Sequence, residues 1–163
     1  MGSYEDERFW PRHMGAQRSH LRLVFNGGSL KVPGHAQSYH AVSGRHRANG
    51  FDYSVERQKL RNEGPIPEGQ YWVAPGELWS NAWYRPAPAA AWGQYRLAIH
   101  PFPETQTYGR GGFFIHGGNA PGSAGCIDLW SHMDGFVSGL KGALNGEENI
   151  YCLLIVNYNL AFR

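Results

Sequence analysis

The chain has 163 residues, of which 42% are hydrophobic and 17% charged. That is enough apolar material for one domain with a core, and too much for a disordered chain. A formal net charge of +2 argues against a nucleic-acid-binding protein, which would carry a basic stripe, and no apolar run approaches the roughly 20 residues that span a bilayer as a helix.

The 22 glycines and 10 prolines suit short strands joined by turns better than a helical bundle. Residues 1–20 are polar and charged and read as an irregular arm. They lack the continuous apolar stretch of a secretory signal, so the expectation is a protein made in the cytoplasm without a signal peptide. Residues 21–163 form the expected domain. Leu21–Phe25 and Ser29–Val32 flank Asn26-Gly27-Gly28, a short-range hairpin signal. Tyr39–Ser43 reads as a third strand and Tyr53–Arg61 as a short helix. In Gly64-Pro65-Ile66-Pro67-Glu68-Gly69 the prolines fix φ and the glycines permit bends, giving a rigid entry into a strand at Gln70–Ala74.

Pro86–Ala91 reads as an extended surface loop. Trp79, Trp83, Tyr84 and Trp92 lie in loop-like sequence, where aromatics either line grooves or pack beneath the loop. Gln94–His100 and Gly112–His116 are further strands. Then the period changes: Leu129, Met133, Phe136, Val137, Leu140 and Leu144 recur at helical spacing. Gly135, Gly139 and Gly142 weaken that helix by about 1 kcal/mol each relative to alanine. Asn149–Asn157 is apolar almost throughout and predicts a central strand. The sum is a mostly β (α+β) domain with one principal helix.

Two cysteines are too few for a disulfide framework. Cys152 sits inside the apolar run Ile150–Val156 and reads as a small core residue. Cys126 follows Ser123-Ala124-Gly125 in a polar loop. Whether the two pair is a matter for geometry.

Chemistry concentrates in the segment from Phe113 to Asp128. An apolar strand ends at His116, a loop of Gly, Asn, Pro and Ser follows, and the chain reaches Cys126 just before the expected helix. A thiol is a poor nucleophile until it is deprotonated, its unperturbed pKa being about 8.5. An imidazole and a helix N-terminus both favour the thiolate. Gly125 lets a substrate carbonyl approach the backbone, and the amides around Gly125 and Cys126 are candidates for an oxyanion hole.

The run Ile115-His116-Gly117 followed by Ser123-Ala124-Gly125-Cys126-Ile127 resembles the active-site signature of L,D-transpeptidases, the YkuD-type catalytic domain. It is most similar to the compact versions delivered as antibacterial effectors by type VI secretion systems. Ala41-Val42-Ser43-Gly44 resembles that branch's "VSG" element, and Gly64–Tyr71 its "GPIPxGxY" element; the likeness covers roughly residues 21–158. The resemblance implies a compact YkuD-like β-sandwich or barrel, a cysteine L,D-transpeptidase or L,D-carboxypeptidase, and no cofactor or metal. The cysteine would expel the terminal D-alanine of a peptidoglycan stem tetrapeptide and form a thioester, resolved by water or by an amine. Carried over by position, Cys126 is the nucleophile, His116 the base, Ser123 the motif serine that shapes the loop or orients the histidine, and Gly125 an oxyanion-hole residue. Gly117, Gly118, Asn119 and Arg110 are expected substrate contacts. The implied partners are stem peptides, a cognate immunity protein and a secretion-system component, with action in the periplasm of a target bacterium.

Three positions depart from larger members of that group. Only ten positions separate His116 from Cys126, a shorter span than usual. Ala124 stands where a histidine or lysine is common, and Asp128 where an arginine helps order the site or hold a carboxylate. Arg110, Arg45 and Arg47 are candidates to replace that arginine, and Asp128 reads as a cap for the following helix. Two other classes remain open at this point. One is a metal hydrolase gathering His100, His116 and His132, although no HExxH pair is present. The other is a non-catalytic peptidoglycan- or carbohydrate-binding module that uses the tryptophans for stacking; it would have no need of an accessible, acidic Cys126.

Overall fold

The computed structural model describes residues 16–34, 37–48, 50–80, 95–118, 120–147 and 149–160. Strand β1 (Gln17–Phe25) starts four residues before the predicted strand, so the end of the expected arm belongs to the sheet. Its alternation continues backwards through Leu23 and Leu21 to Ser19, all buried on one face. The rest of the arm lies outside the described residues, as do Pro86–Ala91, Trp83, Tyr84 and Trp92. Asn26 makes the predicted hairpin, its Oδ1 accepting the N–H groups of Gly28 and Ser29 at 2.9 and 2.8 Å. Strand β2 (Ser29–Val32) thereby returns antiparallel to β1.

The single strand expected at Tyr39–Ser43 is two. β3 (Gln37–His40) pairs with β2, whereas β4 (Val42–Ser43) pairs elsewhere, with the strand that follows Cys126. The fully buried Ala41 separates them. The remaining strands are β5 (Gly69–Val73), β6 (Trp79–Ser80), β7 (Tyr95–Pro101), β8 (Phe113–His116), β9 (Ile127–Asp128) and β10 (Ile150–Val156). Their order is β3-β2-β1-β10-β5-β7-β8-β9-β4, with β6 added on β7. The two ends of this sheet are consecutive in sequence, joined through Ala41, so the sheet must curl until it is a nearly closed barrel. As predicted, β10 is central, parallel to β1 on one side and antiparallel to β5 on the other.

Helix α1 (Val55–Gln58) is shorter than the predicted Tyr53–Arg61. Ser54 caps it, and the chain leaves it at Lys59 for the turns that lead to Gly64. The principal helix α2 (Met133–Leu144) buries Met133, Phe136, Val137, Leu140 and Leu144 against the barrel, the stripe the sequence predicts. Five such side chains at about 1.5–3 kcal/mol each outweigh three glycines at about 1 kcal/mol. Gly139 also has a packing reason. Tyr39 lies where a Cβ at 139 would sit, and Gln37 Nε2 donates to the Gly139 carbonyl at 3.3 Å. The fold is thus the expected mostly β domain with one main helix.

Candidate active site

Strands β8 and β9 are parallel neighbours, with Ile115 beside Ile127 and His116 beside Asp128. A parallel pair usually needs a crossover of a dozen or more residues; here a ten-residue loop, 117–126, makes the connection. The tightness of that loop brings Cys126 back to the strand that carries His116. Cys126 sits one residue before β9, and the backbone N–H of Phe114 in β8 is hydrogen-bonded to its sulfur.

No helix begins at Cys126, contrary to the sequence expectation. β9 follows it directly, then a 3-10 turn at Trp130–His132, and α2 starts only at Met133. A helix dipole acts within its first turn, so it does not reach this thiol. Burial instead pushes the Cys126 thiol up to about 11; the Phe114 N–H and the Arg110 charge oppose that rise, and the Asp128 carboxylate adds to it. Burial likewise lowers the pKa of His116, against a hydrogen bond to Gly117 that raises it. The resting pair is therefore a neutral thiol beside a neutral imidazole.

The imidazole is oriented by its own neighbour. His116 Nδ1 lies 2.7 Å from the Gly117 carbonyl, which can only accept, so Nδ1 carries the hydrogen and Nε2 carries the lone pair. His116 and Cys126 both line one cleft of about 860 Å³. Arg45, His46, Asn62, Gly111 and Gly112 form further wall, together with the loop from Ala120 to Ala124. Among the described residues this lining holds an arginine and histidines but no carboxylate.

Ser123 shapes the loop rather than the histidine. Its Oγ donates to the Cys126 carbonyl at 2.7 Å, while its N–H donates to the Gly44 carbonyl at 2.9 Å. Gly44 is held in turn by close contact with Pro65, where a Cβ would fall 2.8 Å from the proline nitrogen. Ser43 Oγ accepts the Ile66 N–H at 2.8 Å, and the Tyr158 hydroxyl donates to the Ile66 carbonyl. The three separated sequence elements, around 42–44, 64–71 and 115–127, thus meet behind one loop.

Arg110 fastens that junction. Its Nη1 donates to the carbonyls of Gln58 and Pro65 at 2.5 and 2.7 Å, and its Nη2 to Gly64 at 2.9 Å. A side chain at Gly125 would place its Cβ 2.5 Å from Arg110 Nη2, at a φ of +123°, so only glycine fits there. Arg110, an expected substrate contact, stands behind the Gly125–Cys126 turn and is not among the residues lining the cleft. Arg47 pairs with Asp52 at 3.5 Å, away from the cleft wall. Of the three arginines only Arg45 lines it, with its Nε donating to the Asn62 carbonyl at 2.7 Å.

Gly117 and Gly118, also expected substrate contacts, are not part of the cleft lining. Gly117 is pressed under α2, where a Cβ would meet Met133 at 2.8 Å. Asn119 lies outside the described residues. Cys152 is fully buried in β10, and both cysteines are free thiols. His100 bonds Glu77 at 2.8 Å and stacks on Trp72, whereas His132 lies beside His40, so the three histidines of the metal reading are held in different surroundings. Among the described residues no group of three or more His, Cys, Asp or Glu could hold a metal ion.

Sequence reasoning named Asp128 and missed its place beside His116. Its Oδ1 accepts the Trp130 N–H at 2.8 Å, and the Gly122 N–H also bonds the carboxylate. It therefore closes the turn after β9 and ties down the cysteine loop; it does not cap α2, whose N-cap is His132. The signal was present in the matching pairs Ile115-His116 and Ile127-Asp128, once the strands are known to be parallel.

The barrel thus brings a thiol and an oriented imidazole onto one cleft, the two groups that nucleophilic cysteine chemistry requires. The chain belongs to the Tlde1 domain family, which matches residues 38–138 and spans β3 to the middle of α2. This is a family of type VI secretion L,D-transpeptidase effectors. No curated protein matches the chain. Among solved structures, that of Bd1075 from Bdellovibrio bacteriovorus is similar over 87% of this chain at 18% identity, with a TM-score of 0.49. The chain spans about half (48%) of that protein's length.

Proposed function

We propose that this protein is a cysteine L,D-carboxypeptidase of the YkuD type, with L,D-transpeptidase or D-amino-acid exchange as the alternative fate of the same intermediate. Its substrate is the stem tetrapeptide of peptidoglycan, and residues 21–163 form the catalytic domain. The observation that carries the reading is the shared cleft: Cys126 is on it, and His116 presents an unprotonated Nε2 because Gly117 fixes the hydrogen on Nδ1.

The neutral resting pair determines how the reaction begins. His116 Nε2 removes the Cys126 proton as sulfur attacks the carbonyl before the terminal D-alanine, so thiolate and imidazolium form together. N–H groups of the Gly125–Cys126 turn face the developing oxyanion. When the C–N bond breaks, the imidazolium returns the proton to the leaving amine of D-alanine. Water, deprotonated by the same Nε2, then attacks the thioester; the carboxyl product leaves and sulfur regains a proton. An amine in place of water gives exchange or cross-linking.

The Arg45 guanidinium, with no carboxylate beside it among the described lining residues, suits an anionic peptide end. Arg45 takes the carboxylate role assigned to the arginine missing at position 128; Arg45→Ala should raise KM about tenfold with little change in kcat, a loss of uniform binding. In its setting the protein acts in the periplasm of a target bacterium after delivery by a secretion system, and a cognate immunity protein blocks the cleft. No helix among the described residues is long and apolar enough to cross a membrane.

The test is incubation of the purified protein with disaccharide-tetrapeptide, followed by mass spectrometry. Loss of D-alanine from the wild type and not from Cys126→Ala is expected, and added D-methionine in the product would report exchange. An unchanged tetrapeptide from folded, reduced protein would overturn the reading in favour of a binding module. Thiol alkylation does not separate the two readings, because a thiol raised to about 11 labels slowly at neutral pH in either.

A further inference from the structure

A buried carboxylate beside the base has no part in the steps above. Asp128 is 1% exposed, and its Oδ1 lies 3.9 Å from His116 Nδ1. The parallel register of β8 and β9 sets this pairing, since it places residues 116 and 128 side by side. Two backbone N–H groups, from Trp130 and Gly122, hold the carboxylate in place. The groups facing it are few. From β8 comes the His116 ring, from the loop the Cys126 thiol, from the 3-10 turn a backbone N–H, and β4 on its other side pairs through Val42.

We propose that Asp128 is a positioning residue for His116, its carboxylate stabilising the imidazolium that exists only while His116 holds the Cys126 proton. The inference rests on the cysteine mechanism above. In the resting enzyme the two side chains do not form an ion pair, because His116 is neutral. Proton transfer creates the positive charge 3.9 Å from a buried carboxylate, where low dielectric makes the attraction count. The same negative charge disfavours a resting thiolate at Cys126. Asp128 thus favours the transition state over a prematurely ionised ground state, which is the requirement for a gain in rate. Gly117 fixes the tautomer, and Asp128 supplies the charge.

Burial raises the Asp128 carboxyl to about 7 against the opposing Trp130 and Gly122 hydrogen bonds. The device is therefore charged above neutrality and off below it. Activity should rise with pH through about 7 as Asp128 ionises.

Asp128→Asn keeps an oxygen for the Trp130 N–H and removes the charge. Its kcat/KM on disaccharide-tetrapeptide should fall about 10- to 100-fold, as for other partners that orient a working group without touching substrate, and the acid limb near pH 7 should disappear from its profile. NMR of the His116 ring supplies a readout independent of turnover, and wild type alone suffices should the variant fail to fold. Two titration steps are expected in the wild type, one of them near 7 and inherited from Asp128, and one step in the variant. A single step in the wild type would overturn the proposal, as would an unchanged kcat/KM and pH profile in Asp128→Asn. A wild type with two steps and no activity on the tetrapeptide would retain the His116–Asp128 coupling and overturn the proposed reaction.

Discussion

Two charged side chains are buried on either side of the cysteine loop, Arg110 behind it and Asp128 beneath His116, and they are held in opposite ways. Arg110 has backbone carbonyls on both terminal nitrogens, drawn from Gln58, Gly64 and Pro65, and remains a permanent cation. Asp128 has two backbone N–H groups, and among the described residues the only basic group within 4.0 Å is a histidine that is neutral at rest. Burial therefore wins at Asp128 and its pKa climbs. A buried guanidinium held by three backbone carbonyls makes a girder. A buried carboxylate whose pKa has climbed to about 7 stays close to neutrality and can respond to a proton moved nearby.

Four substitutions sharpen this contrast, and the largest effect falls between the two charges. Cys126→Ala should cut turnover on the order of 10³-fold or more while the protein stays folded, because it removes the nucleophile alone. Arg110→Met should act on the fold. It orphans three buried carbonyls at about 1–3 kcal/mol each, so unfolding free energy in urea should fall by about 3 kcal/mol or more and activity should vanish with the loop. Comparable stability in this variant would break the girder description.

Asp128→Asn should act on the pH dependence of stability. The folded carboxyl titrates near 7 and the unfolded one near 3.8. Its contribution to stability is therefore fully present below the unfolded value and is lost as pH rises through about 7. The variant lacks that loss. Its melting temperature should exceed the wild type's at pH 8 by at least about 2 °C, with the gap closing by pH 4–5, as differential scanning would report. Ser123→Ala should do least. It removes the hydroxyl that donates to the Cys126 carbonyl, which should cost about 1 kcal/mol of stability and about tenfold in kcat through a displaced thiol.

The sheet was legible in the sequence wherever local pattern decides structure. The Asn26 hairpin, the strands around 70–73, 95–100 and 113–116, the central β10 and the buried stripe of α2 all follow from turn chemistry and periodicity. Legibility ended where long-range pairing decides. Val42-Ser43 leaves the strand of Tyr39 because its partner is β9, where Ser43 pairs with Ile127, 84 residues further along the chain. β9 itself is two residues long, too short for any period, so the sequence put a helix directly after Cys126. That one error carried two others, the acidic thiol and Asp128 as a helix cap. The site was half legible. Cys126, His116 and the loop between them stand out by residue type, and Ser123 and Gly125 serve the loop, whereas Arg110 and Asp128 acquire their roles only through contacts that sequence spacing does not encode.

The cysteine mechanism is tested most directly by rapid acid quench of the wild type with disaccharide-tetrapeptide, followed by intact-protein and peptide mass analysis. A transient adduct on Cys126 with the mass of the substrate less D-alanine is expected, absent in Cys126→Ala and slowed in Asp128→Asn. Turnover with no adduct on Cys126, or an adduct on another residue, would contradict it.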